Sequence, residues 1–348
     1  MNTPRKTKVL VVDDSALMRQ LLSQLLSQAP DLQVVGTASD PYAAREKIKA
    51  LNPDVLTLDV EMPRMDGLTF LSNLMRLRPM PVVMVSALTE RGADVTLKAL
   101  ELGAVDFVTK PQIDLAHGVS HQCSEIINKV RRASKARPRA VRPAQGPSRP
   151  ATGTTGYRTT DRLIAIGAST GGVEAIRHVL SQLPPDAPGV VIAQHIPEMF
   201  SAAMARRLND ICAVEVAEAR DGAPVMTGHV YIAPGNRHLE VIRSGAKYFC
   251  SLKDGPPVNR HKPSVDVLFH SVAQSVGQNA VGVILTGMGG DGAEGLKAMQ
   301  DAGAHTIAQD QETSVVWGMP GRAVQLGGVR KVLPLDRIAS AMLAEVSS

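Results

Sequence analysis

Aromatic side chains make up only 3% of the 348 residues. A core of stacked rings is therefore excluded, and Val, Leu, Ile, Ala and Met must fill the interior, which suits parallel sheets covered by helices on both faces. Cysteine is as scarce. Cys123, Cys212 and Cys250 are odd in number, far apart and in no CxxC pair, which excludes a disulfide framework and a zinc site. No apolar run approaches the roughly 20 residues of a membrane span, so no membrane insertion is expected. The apolar run at 9–12 passes at once into Asp13 and Asp14 and is too short for a signal peptide. The cytoplasm is the expected location. A broad basic surface is also missing. Of the net charge of +5, eight Lys or Arg and no acid fall between Arg131 and Thr160, which leaves 30 basic against 33 acidic residues elsewhere. Without such a surface and without aromatics to stack on bases, no nucleic-acid partner is expected.

What the chain does contain is two α/β series. Short apolar runs at 9–12, 34–37, 55–58, 82–86 and 106–109 alternate with helical patterns near 16–28, 43–51, 69–77 and 93–102 and a closing helix. Five β-α units predict a doubly wound parallel sheet over residues 1–133. Residues 134–160, rich in Arg, Pro, Ala, Gly, Ser and Thr and without apolar periodicity, read as a flexible basic linker. Further apolar runs at 163–166, 190–193, 230–233 and 281–285 predict a second doubly wound parallel-sheet domain, Rossmann-like, over 161–348.

In an open parallel sheet the carboxyl ends of the strands converge on one crevice. Asp13 and Asp14 follow the first strand and Asp59 the third, so three carboxylates would meet there. Such a cluster repels itself unless a cation neutralises it, and Mg²⁺ is the natural occupant. Ser86, after the fourth strand, could donate to a phosphoryl oxygen, and Lys110, after the fifth, supplies a fixed positive charge. Lys110-Pro111 is also a bond that can adopt the cis form and so aim the lysine inward. The plainer reading of any one aspartate is a helix N-cap. That reading does not account for five such positions together.

These residues resemble the receiver domain of two-component response regulators: Val11-Val12-Asp13-Asp14-Ser15, Leu58-Asp59-Val60-Glu61-Met62-Pro63-Arg64-Met65-Asp66-Gly67, Ser86-Ala87 and Lys110-Pro111. The resemblance implies a flavodoxin-like fold, and Asp59 as acceptor of a phosphoryl group from a histidine kinase. It also implies Mg²⁺ held by Asp14, Asp59 and the backbone carbonyl of Glu61, with Asp13 assisting and Ser86 and Lys110 sensing the acyl phosphate.

In the second domain the run at 163–166 enters Gly167-Ala168-Ser169-Thr170-Gly171-Gly172 and then a helical pattern. A nucleophile elbow needs this strand-turn-helix context, and the helix N-terminus offers N–H groups to an oxyanion. A dinucleotide fingerprint competes, but the G-x-G-x-x-G spacing is absent, and Gln194-His195 closes the next strand where a ribose-binding acid would stand. A purely structural turn is the third reading. A serine hydroxyl needs a base, and the base an orienting carboxylate. His195 ends one predicted strand. Asp291 lies in the Gly-rich loop after another, where alone it could be a helix N-cap.

The chain order Ser, His, Asp disfavours the common hydrolase superfamilies. The second domain resembles, over nearly its whole length, the protein-glutamate methylesterase domain of chemotaxis. The resemblance is carried by Ile166-Gly167-Ala168-Ser169-Thr170-Gly171-Gly172, Gln194-His195, Tyr231-Ile232-Ala233-Pro234-Gly235, His261-Lys262-Pro263-Ser264-Val265-Asp266, Thr286-Gly287-Met288, Asp291-Gly292-Ala293 and Trp317-Gly318-Met319-Pro320. It implies a phosphorylation-activated methylesterase that also deamidates glutamine, with Ser169, His195 and Asp291 as the triad and no cofactor for the esterase. By elbow geometry Thr170, and by resemblance Met288, lend backbone N–H groups to an oxyanion hole. Implied partners are methyl-accepting chemotaxis receptors and a chemotaxis histidine kinase.

Overall fold

The computed structural model describes residues 5–86, 89–111, 119–136 and 162–347. The chain divides into two compact units, Met1–Pro143 and Ala144–Ser348. The expected linker lies outside the described residues from 137 to 160.

The first unit runs β1 (Thr7–Val12), α1 (Ala16–Ser27), β2 (Leu32–Ala38), α2 (Pro41–Leu51), β3 (Val55–Asp59), α3 (Gly67–Leu77), β4 (Val82–Ser86), α4 (Glu90–Glu101), β5 (Asp106–Thr109) and α5 (Val119–Ala133). Its five strands are all parallel, in the order β2-β1-β3-β4-β5. Every residue of β3 and β4 is buried, as a sheet covered on both faces requires. Helix starts follow local chemistry. The Ser15, Asp40, Asp66 and Thr89 side chains each accept a first-turn N–H, the ordinary N-cap bond. Because Ser15 caps α1, Asp13 and Asp14 are released from that task. Strand order reverses between β1 and β3, and the crevice at such a switch point is where an α/β sheet places its site.

The second unit contains β6 (Leu163–Ala168), α6 (Gly172–Leu180), β7 (Gly189–Gln194), α7 (Glu198–Ile211), β8 (Glu215–Glu218), β9 (His229–Ile232), β10 (His238–Ser244), β11 (Lys247–Lys253) and α8 (Val265–Ser275). It continues with β12 (Ala280–Ile284), α9 (Ala293–Asp301), β13 (His305–Gln309), α10 (Met319–Gln325), β14 (Lys331–Leu333) and α11 (Leu335–Ser347). Seven strands form one parallel sheet in the order β14-β13-β12-β6-β7-β9-β8. An antiparallel β10-β11 hairpin, which the apolar runs did not announce, packs against α8. The sheet grows from β6 toward β7 on one side and later toward β12 on the other, so its switch point lies at the end of β6.

Gly167 is part of β6 and not of the turn, contrary to the sequence reading. A Cβ at Gly167 would lie 2.1 Å from Val265 Cγ1 and 3.1 Å from Phe269 Cζ, so the missing side chain admits α8 against the strand. The turn belongs instead to Gly171, at φ +77°. Gly167→Ala is expected to destabilise this unit by about 1–3 kcal/mol, the range of overpacking in a full core. Chemical denaturation is the check, and an unchanged midpoint would mean that α8 can retreat without cost.

Candidate active sites

The β1, β3 and β5 ends bring together Asp13, Asp14, Asp59 and Lys110. One carboxylate oxygen from each aspartate lies within 4.8 Å of the others. Asp13 and Asp59 are 0% and 1% exposed. Lys110 Nζ stands 2.9 Å from the Asp59 carboxylate and 3.8 Å from Asp13. Burial, helped by the Asp59 charge, pushes Asp13 up to about 6 despite Lys110 and the Ser15 N–H. Burial also raises Asp59, against the hydrogen bond and charge of Lys110 and the N–H of Glu61. One lysine among three carboxylates leaves net negative charge in the crevice, and an all-oxygen donor set of this kind suits a hard divalent cation such as Mg²⁺. Ser86 closes β4 and is buried, its Oγ donating to the Gly92 carbonyl (3.3 Å). Glu61 is exposed and contributes a backbone N–H to Asp59.

The cis form that the sequence allowed at Lys110-Pro111 is not adopted; the cis bond among the described residues is Lys262-Pro263. No bend is needed. The Lys110 N–H donates to the Ser86 carbonyl (2.8 Å), extending the β4-β5 ladder, and the extended chain carries the ammonium to Asp59 directly.

In the second unit, parallel register places Ala168 of β6 beside Gln194 of β7, and Gly167 beside Ile284 of β12. Ser169 and His195 are the next residues on adjoining strands, and the Ser169 N–H donates to the Thr286 carbonyl (3.0 Å) beyond β12. Asp291 enters from the loop after β12. His195 Nε2 lies 2.7 Å from Asp291 Oδ2, whereas Nδ1 is buried and has no hydrogen-bond partner. A carboxylate at Asp291 can only accept, so the tautomer that suits this contact is the one with Nε2–H, which leaves Nδ1 a lone pair. Ser169 and Thr170 are buried, and Met288 is half-buried.

Asp291 does not cap the helix that follows it: Gly292 stands at the N-cap of α9 and makes no side-chain cap bond. It caps α8 instead, accepting from Ser264 Oγ (2.8 Å) and the Val265 N–H (2.7 Å), with a longer contact to the Asp266 N–H (3.4 Å). Asp266, in the first turn of α8, returns the arrangement by accepting from the Gly295 N–H of α9 (2.7 Å). Burial alone would raise the Asp291 carboxyl. The bonds from His195, Asn259 and Val265 outweigh it and hold the group well below the usual carboxylate range, as several donors to one carboxylate do.

The CheB methylesterase family matches residues 164–342, and the response regulator receiver domain matches residues 9–118. The chain is 58% identical over 352 residues to a protein-glutamate methylesterase/protein-glutamine glutaminase of Xanthomonas euvesicatoria, covering 99% of this chain and 98% of that relative. The chain belongs to the CheB methylesterase family. A relative of the same description from Salmonella typhimurium is 57% identical over 343 residues, again covering 99% and 98% of the two chains. Among solved structures, the CheB methylesterase catalytic domain of Thermotoga maritima aligns with a TM-score of 0.52 at 35% identity, over 53% of this chain and 97% of that one.

Two side chains of this CheB-family site had no role in the sequence reading. The His261 ring stacks on His195, with centroids 3.7 Å apart and planes 8° from parallel. Asn259 Nδ2 bonds both Asp291 (2.9 Å) and Asp266 (2.6 Å). His261 stood in a recognised motif, but no spacing rule points a residue 66 positions from His195 at its ring face. The cysteines within the described part of this unit are not poised as nucleophiles. Burial pushes Cys212 up to about 11 and Cys250 up to about 12, so neither carries a useful thiolate fraction at neutral pH. Among the described residues no helix is long and apolar enough to cross a membrane.

Proposed function

We propose that the chain is a phosphorylation-activated serine hydrolase of the cytoplasm that demethylates glutamyl methyl esters, and deamidates glutamines, on chemotaxis receptors. The observation that carries the reading is that Ser169 and His195 follow adjoining strands and that Asp291, from the loop after β12, makes a 2.7 Å bond to His195, in a chain of this family. His195 Nδ1 takes the Ser169 proton, and the Ser169 oxygen attacks the ester carbonyl. The developing oxyanion is held by the backbone N–H groups of Thr170 and Met288. In support, no backbone carbonyl among the described residues accepts the Met288 N–H. The proton then passes from His195 to the departing methoxy oxygen, methanol leaves, and water activated by the same imidazole releases the glutamate. With a glutamine substrate the leaving group is ammonia. Asp291 stabilises the imidazolium through Nε2–H, a charge-assisted bond.

In the receiver, the Asp59 carboxylate takes the phosphoryl group from a kinase phosphohistidine. Asp14, Asp59 and the Glu61 carbonyl would hold Mg²⁺, which supplies neutralising charge for phosphoryl transfer. Asp13 adds to the acidic pocket, and Lys110 and Ser86 meet the phosphoryl oxygens. The test is methanol release from methylated receptor, with and without a small phosphodonor. The expected result is basal release that the phosphodonor raises. Asp59→Asn should keep basal release and lose the whole of the stimulation, and stimulation that survives the substitution would place the acceptor elsewhere.

A further inference from the structure

Asn259 sits in a tight turn. The Val258 and His261 backbones exchange two hydrogen bonds (3.0 and 2.9 Å), and the residues between them, Asn259 and Arg260, have φ of +52° and +69°. This is the two-residue hairpin turn with both central residues left-handed, a conformation in which Asn and Gly are favoured. The backbone alone would thus explain an asparagine here. It does not explain what the side chain does. Its one NH₂ group has two hydrogens, and they go to two different carboxylates, Asp266 Oδ2 at 2.6 Å and Asp291 Oδ1 at 2.9 Å. These carboxylates are 5% and 3% exposed.

We infer that Asn259 is a positioning residue of the esterase, whose amide keeps two buried carboxylates side by side and aims Asp291 at His195. Two such groups repel each other, and without donors between them they tend to share a proton. The remaining bonds divide the work. Asp266 is otherwise occupied by α9, through the Gly295 N–H. On Asp291, Oδ2 receives His195 and the Val265 N–H, while Oδ1 receives Ser264 and Asn259, with the longer contact from the Asp266 N–H. The Asn259 bond therefore acts with that of Ser264 to hold the rotation of the carboxylate about its own axis from the oxygen opposite the one that meets His195, and of the two it is the one that also reaches Asp266. The same turn ends at His261, which stacks on the His195 ring, so one short segment touches both the imidazole and its carboxylate. Burial and the Asp291 charge raise Asp266, the response expected of two carboxylates held this close.

The inference rests on the triad proposed above, and its test separates the two. Asn259→Gly in the full chain removes the amide yet suits a positive φ. It is expected to lower kcat for methanol release about tenfold or more, the scale of losing one hydrogen bond to a charged group, with KM little changed and the thermal midpoint lowered by the loss of the two bonds. The low-field proton resonance of His195 Nε2–H should move upfield, a change that a purely structural turn residue would not produce. Asn259→Ala, which strains the turn as well, should lower the thermal midpoint further. Labelling of Ser169 by a fluorophosphonate, which needs the activated serine but no receptor, should slow in parallel with kcat. If Asn259→Gly leaves kcat, the labelling rate and the resonance unchanged, the inference is overturned while the triad stands. If the unaltered chain is not labelled at Ser169, the triad falls and the inference with it.

Discussion

Replacing Ser169 by alanine is expected to lower kcat for methanol release by about 10³-fold or more, the scale on which loss of a triad member is felt. In the proposed mechanism the Ser169 hydroxyl, just beyond β6, forms the acyl intermediate. Its backbone neighbours, including the N–H bonded to the Thr286 carbonyl (3.0 Å), do not depend on it. The fold should therefore be kept and substrate binding little altered, so the loss should appear in kcat and not in KM. Residual turnover would be that of the oxyanion donors acting on a water molecule. Turnover near that of the unaltered chain would rule out Ser169 as the nucleophile.

Asp291→Asn is expected to lower kcat by about 10³- to 10⁴-fold, because an amide reverses the polarity of the bond to His195. An amide NH₂ facing Nε2 stabilises the tautomer with its proton on Nδ1, so an N–H and not a lone pair would then meet the serine. The same substitution should change the pH dependence of stability. The Asp291 carboxyl is held well below the ordinary carboxylate range by its donors. Its stabilising contribution is therefore present above the unfolded carboxylate pKa, near 4, and is lost as the pH falls toward the folded value. Denaturant unfolding at a series of pH values should show the two chains furthest apart above about pH 5 and converging in acid. Parallel curves would mean that Asp291 is not the group whose charge is stabilised.

The Asp59 crevice and the Ser169 elbow were open to sequence reasoning for the same reason. Each residue lies within three positions of the end of an apolar run, and a parallel sheet sends all such positions to one edge. The runs at 9–12, 55–58 and 163–166 locate Asp13, Asp59 and Ser169 within three residues because buried strands permit little but Val, Ile, Leu and Ala. The same rule brought His195 to the correct edge. It did not give the ring's orientation, and the family resemblance, not the pattern, joined His195 to Asp291 across 96 residues.

Sequence by itself determined the two α/β units, the strand-end placement of the acidic cluster and of the serine, and the residue types that the chemistry needs. All of these follow from local periodicity and from the chain's passage out of a strand. Tertiary structure alone decided that Gly167 serves the packing of α8 and not the turn, and that Nε2 of His195 faces Asp291. It also decided that Asp291 caps a helix other than its own and that Asn259 and His261 close over the pair. These facts depend on how α8, α9 and the turn after the β10-β11 hairpin pack around the end of β6. Packing between segments that are distant in the chain leaves no periodic trace in the residues that make it.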